Sequence, residues 1–391
     1  MKLPALPIRK LLFSRNAFLL YALVGLGILF QLLTLDSASP FLSGRSISTV
    51  LRQVSVVGVI VCGMTLVIVL THIDLSVGSA VAFLGALAAW MMAPAGESQG
   101  HSVSGLGWPP WLVLILMMFL GLLLWAGKGW LQVKTGMPAF IITLGGFMAY
   151  RGLALNIAVR EIALPPDNLL SRLGTQTLPM SLGWVVVLLL LLGGLTRTAM
   201  LLRQGRSAGW SAGLPALLTA AVIAYLQLPH PNVLPHARGI AVLSSIWGLT
   251  LLLTYYLSEH TVFGRQLYAT GGNREAAYLS GISVNRITIA GFSLLGFYTA
   301  VAAMMELGQQ GTAVSGAGNL LELDVIAACV LGGVSLRGGR GSVLGATLGA
   351  LIMQVLGSGL YQCGVQTGTQ MLIKAVVLIV FAALNHGLRR D

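Results

Sequence analysis

Asp74, in the stretch THIDLSVGSAVAFLGA, is a carboxylate at the mouth of an apolar run rich in glycine and alanine. Lipid does not solvate a charge, so a carboxylate there must pair, face water or cap a helix. It stands just ahead of Leu75, Ser76, Val77, Gly78 and Ser79, where its oxygens can satisfy the unpaired amides of a helix that starts there. Capping is the simpler chemistry for Asp74, and a substrate or proton site is the other. Asp324, in NLLELDVIAACVLGGVSLRGGRGSVLGATLGA, poses the same choice in a run that breaks at Gly332 and Gly333. Helices interrupted by glycine bring backbone dipoles to a pathway inside a membrane. Gly345 and Gly349 have GxxxG spacing, which reads as close helix packing. Glu306 is expected near the outer interface in contact with water, as His72 is expected at an interface. Arg151, deep in an apolar run, either snorkels or points at the pathway.

A second kind of chemistry is mechanical. VFGRQLYATGGNREAAYLSGISVNR, from Val262 to Arg286, lies between two apolar runs yet reads as a folded element. Asn273 can cap a helix of about two turns, Glu275 falls in the first turn where the dipole favours an anion, and Gly281 supplies a left-handed stop. Ala276 and Ala277 at its centre are small enough to let the helix sit closely in the groove of another protein.

Other chemistries are excluded. GLLLWAGKG around Lys128 has one residue too many between its glycines for a phosphate loop and ends in Gly129 where Ser or Thr is needed. HExxH and GxGxxG are absent, and the six histidines are dispersed. Cys62, Cys329 and Cys363 have no metal or disulfide spacing. No metal, no cofactor and no enzymatic reaction is expected in this chain.

The elements that hold these residues are membrane spans. Of 391 residues, 56% are hydrophobic and 9% charged, with mean hydropathy +0.86, far from the ~25% charged of soluble domains. Runs able to cross a ~30 Å hydrocarbon core fall near 17–34, 50–70, 78–94, 111–130 and 138–157. A second series falls near 182–195, 212–228, 240–257, 287–307, 324–334, 342–361 and 371–388. The fold class is therefore an all-α polytopic transmembrane bundle of about 10–12 spans, with broken or re-entrant helices, forming a single domain over 1–391. The run from Ala17 has no A-x-A-like site after it and reads as a retained first span.

The net charge of +12 is scattered and lacks a basic patch, which argues against nucleic acid. With the N-terminus (1–16) inside, Lys128, Lys134, Arg197, Arg203, Arg206, Arg265, Arg274, Arg286, Arg337, Arg340, Arg389 and Arg390 fall on one side. Asp36, Glu97, Glu161, Asp167 and Glu322 fall on the other. That positive-inside pattern makes the 259–286 loop and the 388–391 tail cytoplasmic.

GGNREAAYLSGI, IDLSVGS and AGNLLELDVIAACVLGGVSLRGGRGSVLGATLGA together resemble the membrane subunits of monosaccharide ATP-binding-cassette importers of the ribose, xylose and arabinose type, over about Ser46 to Leu388. The extra segment near 196–228, which ribose-type permeases lack, is similar to the xylose-type branch. The resemblance implies a homodimer with the sugar path along its interface, a separate cytoplasmic ATPase subunit holding ATP and Mg, and a periplasmic sugar-binding protein, in the inner membrane. It places the ATPase-coupling motif on Gly264, Gly271, Asn273, Glu275, Ala276, Ala277, Ser280 and Gly281. The pathway or helix-opening signature falls on Asp74, Leu75, Ser76, Val77, Gly78 and Ser79. Arg337 and Arg340 depart from the usual SLxGGxGS turn. A permease of the same superfamily for branched-chain amino acids or nucleosides, and a proton-coupled secondary transporter using Asp74 or Asp324, are the alternatives.

Overall fold

The computed structural model describes residues 15–37, 40–94, 104–165, 167–203, 219–228 and 239–387. Most of the 1–16 segment, Arg206, residues 212–218 of one expected span, parts of two expected outer loops and the 388–391 tail lie outside the described residues.

The chain is helical nearly throughout. It opens with α1 (Arg15–Leu33), α2 (Gly44–Val69), α3 (Val77–Met92), α4 (Pro110–Thr135) and α5 (Ala139–Ile157). After strand β1 (Ile162–Ala163) come α6 (Leu169–Thr175), α7 (Met180–Arg203), α8 (219–227) and α9 (Val242–His260). The 259–286 loop forms α10 (Val262–Gly272) and α11 (Arg274–Leu279), and α12 (Val284–Gln310) and β2 (Thr312–Ala313) follow. The chain closes with α13 (Leu321–Leu331), α14 (Val343–Gln362) and α15 (Thr367–Gly387). Among the described residues, α2, α4, α5, α12 and α14 are long and apolar enough to cross a membrane. Shorter apolar helices lie at 18–33, 77–92, 180–196 and 367–380.

From Val54 to Val69 helix α2 is almost wholly apolar and buried throughout, as a helix enclosed by others must be. It packs on α9, α12, α13 and α14. Helix α12 crosses α4 with backbone nearly touching backbone, because Gly121 sits on the Gly296 carbonyl and Gly296 on Trp125. With little hydrophobic drive between helices in lipid, close approach through small residues is what holds such pairs. The expected packing role of Gly345 and Gly349 has a partner here. Gly349 lies against the Ala328 carbonyl, and Gly332 lies against the Gly345 carbonyl, so α13 and α14 meet without intervening side chains.

Two helices fall short of the bilayer. Sixteen residues in α3 rise about 24 Å and eleven in α13 about 16 Å, against ~30 Å of hydrocarbon. The missing length is made up by non-helical chain at 70–76 and 312–320. The second stretch starts at the β1–β2 pairing (Ile162 with Ala313, Ala163 with Thr312), beyond the end of α5. It then passes Arg151, whose Nη1 donates to the carbonyls of Ser315 (2.7 Å) and Ala317 (3.1 Å). Gly318 then rests on Gly78. Arg151 therefore neither snorkels nor lies free. It holds a non-helical backbone whose carbonyls lipid would leave unsatisfied.

Candidate functional site

The 70–76 stretch enters the protein interior at Thr143, whose Oγ1 accepts from the Leu75 amide (3.3 Å) and donates to the Ile73 carbonyl (3.2 Å). Asp74, fully buried, accepts from the Ser76 amide (2.7 Å) and hydroxyl (2.6 Å) through Oδ1. Ser76 is the N-cap residue of α3, yet its side chain makes no capping bond. Asp74 thus fixes the residue at the cap position without reaching the helical amides beyond it, one step short of the expected cap.

What the carboxylate does reach is Lys128. The Lys128 Nζ lies 3.4 Å from Asp74 Oδ2 and 2.6 Å from Ser76 Oγ, and its ammonium sits 3.2 Å from the centre of the Trp125 ring. Tyr150 stacks on Trp125 and completes the aromatic wall. A buried ion pair survives desolvation only when its remaining hydrogen-bonding positions are filled, and here Ser76 and the ring fill them. Lys128 lies seven residues before the end of α4, about 10 Å inward. It is therefore not one of the solvated basic residues that the positive-inside count made it.

Glu322 also departs from its expected place in an outer loop. It is buried in the first turn of α13, with its carboxylate against Gly78 in the first turn of α3. Two helix starts, at Val77 and Leu321, therefore face each other at one level of the molecule. Asp324, two residues on and so on the other side of the helix, is half-exposed and pairs at 2.8 Å with Lys374 of α15. Leu75 binds Thr143, and the Ser79 hydroxyl donates to the Ser76 carbonyl (3.0 Å). Glu306 is half-buried, and its bond with Gln310 is exposed. His72 is buried against Phe292.

The residues of the 259–286 loop are a separate cluster. The Asn273 side chain accepts from the Ala276 amide (3.0 Å), with Glu275 in the first turn of α11. Gly281 (φ +81°) ends it: its amide bonds to the Tyr278 carbonyl (2.9 Å) and the Ile282 amide to the Ala277 carbonyl (3.0 Å). That paired return is the left-handed helix stop for which glycine is suited. Ser280 donates to the Ala276 carbonyl. Ala276 is exposed but Ala277 is buried against its own chain, so only half of the small pair faces outward. The outward face carries Glu275, Tyr278 and Leu279, the last two 71% and 78% exposed.

Helix α10 joins this element to the membrane core. Thr261 caps it, and Gly264 fits against the Ser258 carbonyl. Gly271 packs on the Val69 carbonyl at the end of α2, and Gly338 and Gly339 of the SLRGGRGS turn press on Gly271 and Gly272. Tyr268 donates to the Gly341 carbonyl (3.1 Å). Burial, aided by Glu259, pushes its phenol up to about 12, so it remains a neutral donor. The turn carrying Arg337 and Arg340 is thus the seat of α10.

A family model described as the permease component of branched-chain amino acid transport systems matches residues 46–382. This chain belongs to that permease family. The permease is 36% identical over 385 residues to the xylose transport system permease protein of Escherichia coli (strain K12), covering 96% of this chain and 93% of the relative. It is 32% identical over 376 residues to the xylose transport system permease protein of Haemophilus influenzae, covering 94% and 96%. Over 363 residues it is 33% identical to the ribose import permease protein of Bacillus subtilis (strain 168), covering 93% and 91%. No solved structure matches the chain. As a multi-pass permease subunit of an ATP-binding-cassette importer, it is not catalytic and carries no cofactor. ATP binding lies in the separate partner ATPase. That membership sets aside the proton-coupled reading of Asp74 and Asp324.

Of the residues singled out in the sequence, Asp74, Leu75, Ser76, Gly78 and Ser79 lie together at the start of α3. Asp324 lies two residues beyond the Glu322 contact. Gly264, Gly271, Asn273, Glu275, Ala276, Ala277, Ser280 and Gly281 form the second cluster. Lys128, Glu322, Lys374 and the anchoring role of Arg151 escaped the sequence reading. Lys128 and Lys374 had one visible signal, a charge standing well inside an apolar run.

Proposed function

We propose that this permease forms the membrane path of a monosaccharide importer, with D-xylose or a related pentose as its substrate. The observation that carries this reading is the similarity to xylose permeases along nearly the whole length of both chains. The segment near 196–228, read as a xylose-type feature, lies within the span of that similarity. A binding protein in the periplasm hands over the sugar, and two copies of the chain enclose the path along their interface. Both termini lie in the cytoplasm.

In this reading ATP binding closes the ATPase dimer, and α11 follows. The exposed Tyr278 and Leu279 support a docking role, since an apolar pair on the outside of a helix in water wants a partner. Motion of α11 reaches α10, then through Gly271 the end of α2 and the turn that leads back to α13. The starts of α3 and α13, apposed at Gly78 and Glu322, separate as the path opens. A ligand shifts such an equilibrium only through contacts that differ between the two states, and the α10 seat is where that difference enters.

Uptake of radiolabelled D-xylose, D-ribose and L-leucine by cells expressing the chain with its ATPase and binding protein tests the reading. Pentose uptake without leucine uptake is the expected result. The family description also names branched-chain amino acids, and leucine uptake alone would replace the sugar.

A further inference from the structure

Glu322 Oε2 is buried without a hydrogen-bond partner among the described residues, and so is Arg151 Nη2. Both side chains address one short piece of backbone. Arg151 reaches the Ser315 and Ala317 carbonyls through Nη1. Glu322 stands beside Gly318, with both against the first turn of α3. Glu322 is 95% buried, since only 5% of its surface is exposed, and the Arg151 guanidinium lies within Coulombic range of it. A carboxylate oxygen left without a hydrogen bond in such a place costs far more than a solvated one. No protein group supplies the missing bonds, although Ser315 and Asn319 are near in sequence.

We infer that Glu322 and Arg151, with the 315–318 turn between them, form a sugar-hydroxyl subsite that is uncovered when the starts of α3 and α13 separate. The chemistry fits a polyol. A hydroxyl can donate to Glu322 Oε2 while a neighbouring hydroxyl accepts from Arg151 Nη2, so a vicinal diol fills both orphan positions at once. A branched-chain amino acid side chain could satisfy neither group. Gly78 belongs to the same geometry: a side chain there would overlap Glu322 and the Gly318 carbonyl, so glycine keeps the carboxylate in position. The Asp74–Lys128 pair stands apart, because its donors and acceptors are already engaged with each other and with Ser76.

This inference rests on the sugar-importer reading, and its test separates the two. Uptake of D-xylose and of a deoxy-xylose lacking one hydroxyl is measured for the wild type and for Glu322→Gln, in full assemblies with the same ATPase and binding protein. The binding protein's own preference cancels when the two permeases are compared. Glu322→Gln is expected to lower D-xylose uptake at least tenfold and to shrink the xylose-to-deoxyxylose ratio several-fold, with ATPase co-purification unchanged. A merely structural role would lower both sugars equally and leave the ratio intact, which overturns the subsite. If Glu322→Gln fails to reach the membrane, Arg151→Lys, which keeps the charge but loses the second guanidinium donor, is read by the same ratio. An unchanged ratio there also overturns it. A wild type that takes up neither xylose nor ribose removes the sugar reading itself, and this subsite with it.

Discussion

Gly271 of α10 lies directly on the carbonyl of Val69, and the same carbonyl accepts the Gly339 amide at 2.9 Å. One peptide oxygen at the end of α2 is therefore shared by the coupling element and by the turn between α13 and α14.

Gly271→Ala places a methyl group into that shared oxygen and must push α10 away. Overpacking of this kind costs about 1–3 kcal/mol. The expected outcome is substrate uptake reduced several-fold while the ATPase still co-purifies, because α11 itself is untouched. Uptake at the wild-type rate would show that α10 can shift without consequence.

Asp74→Asn and Lys128→Met each leave one charge buried alone. Breaking a buried pair costs about 3–5 kcal/mol, so each single variant should show a markedly lower melting temperature in detergent. The double variant should recover part of the loss. Additive losses in that cycle would mean that the two side chains do not interact.

Gly281→Val and Gly281→Asn differ in one property, tolerance of φ +81°. Nothing lies within contact of the missing side chain, so space is not the issue. A β-branched residue held there costs on the order of 1–3 kcal/mol, whereas asparagine adopts the left-handed region readily. Valine should uncouple ATP hydrolysis from uptake and asparagine should largely spare it. Equal behaviour of the two would refute the role of the helix stop.

Asn273→Ala removes the acceptor for the Ala276 amide, a loss of about 1 kcal/mol. Weaker recovery of the ATPase in a pull-down from native membranes is the expected result. Asn273→Asp keeps the cap and serves as the control.

The coupling helix was legible in the sequence because its determinants are local. Asn273, Glu275 and Gly281 sit within nine positions of one another, and capping chemistry acts over that range. The Asp74–Lys128 pair was not legible, since its partners are 54 positions apart and meet only when α4 packs beside the start of α3. Counting basic residues by side placed Lys128 in water because it lies near a helix end. Glu322 was misplaced for a related reason: in a chain that crosses the membrane fully it would fall in a loop, but α13 starts part-way through. The break at Gly332 and Gly333 pointed to an interrupted helix, though not to where its first residue would lie.

Thr143 covers the Leu75 amide and the Ile73 carbonyl, and Arg151 covers two carbonyls of the 312–320 stretch. One hydroxyl and one guanidinium thus insulate two lengths of peptide that no helix protects. Bare peptide groups would otherwise thread a file of water through the bilayer, and with it a leak of protons down the membrane potential. The two interruptions of the helices, so covered, are also an electrical seal.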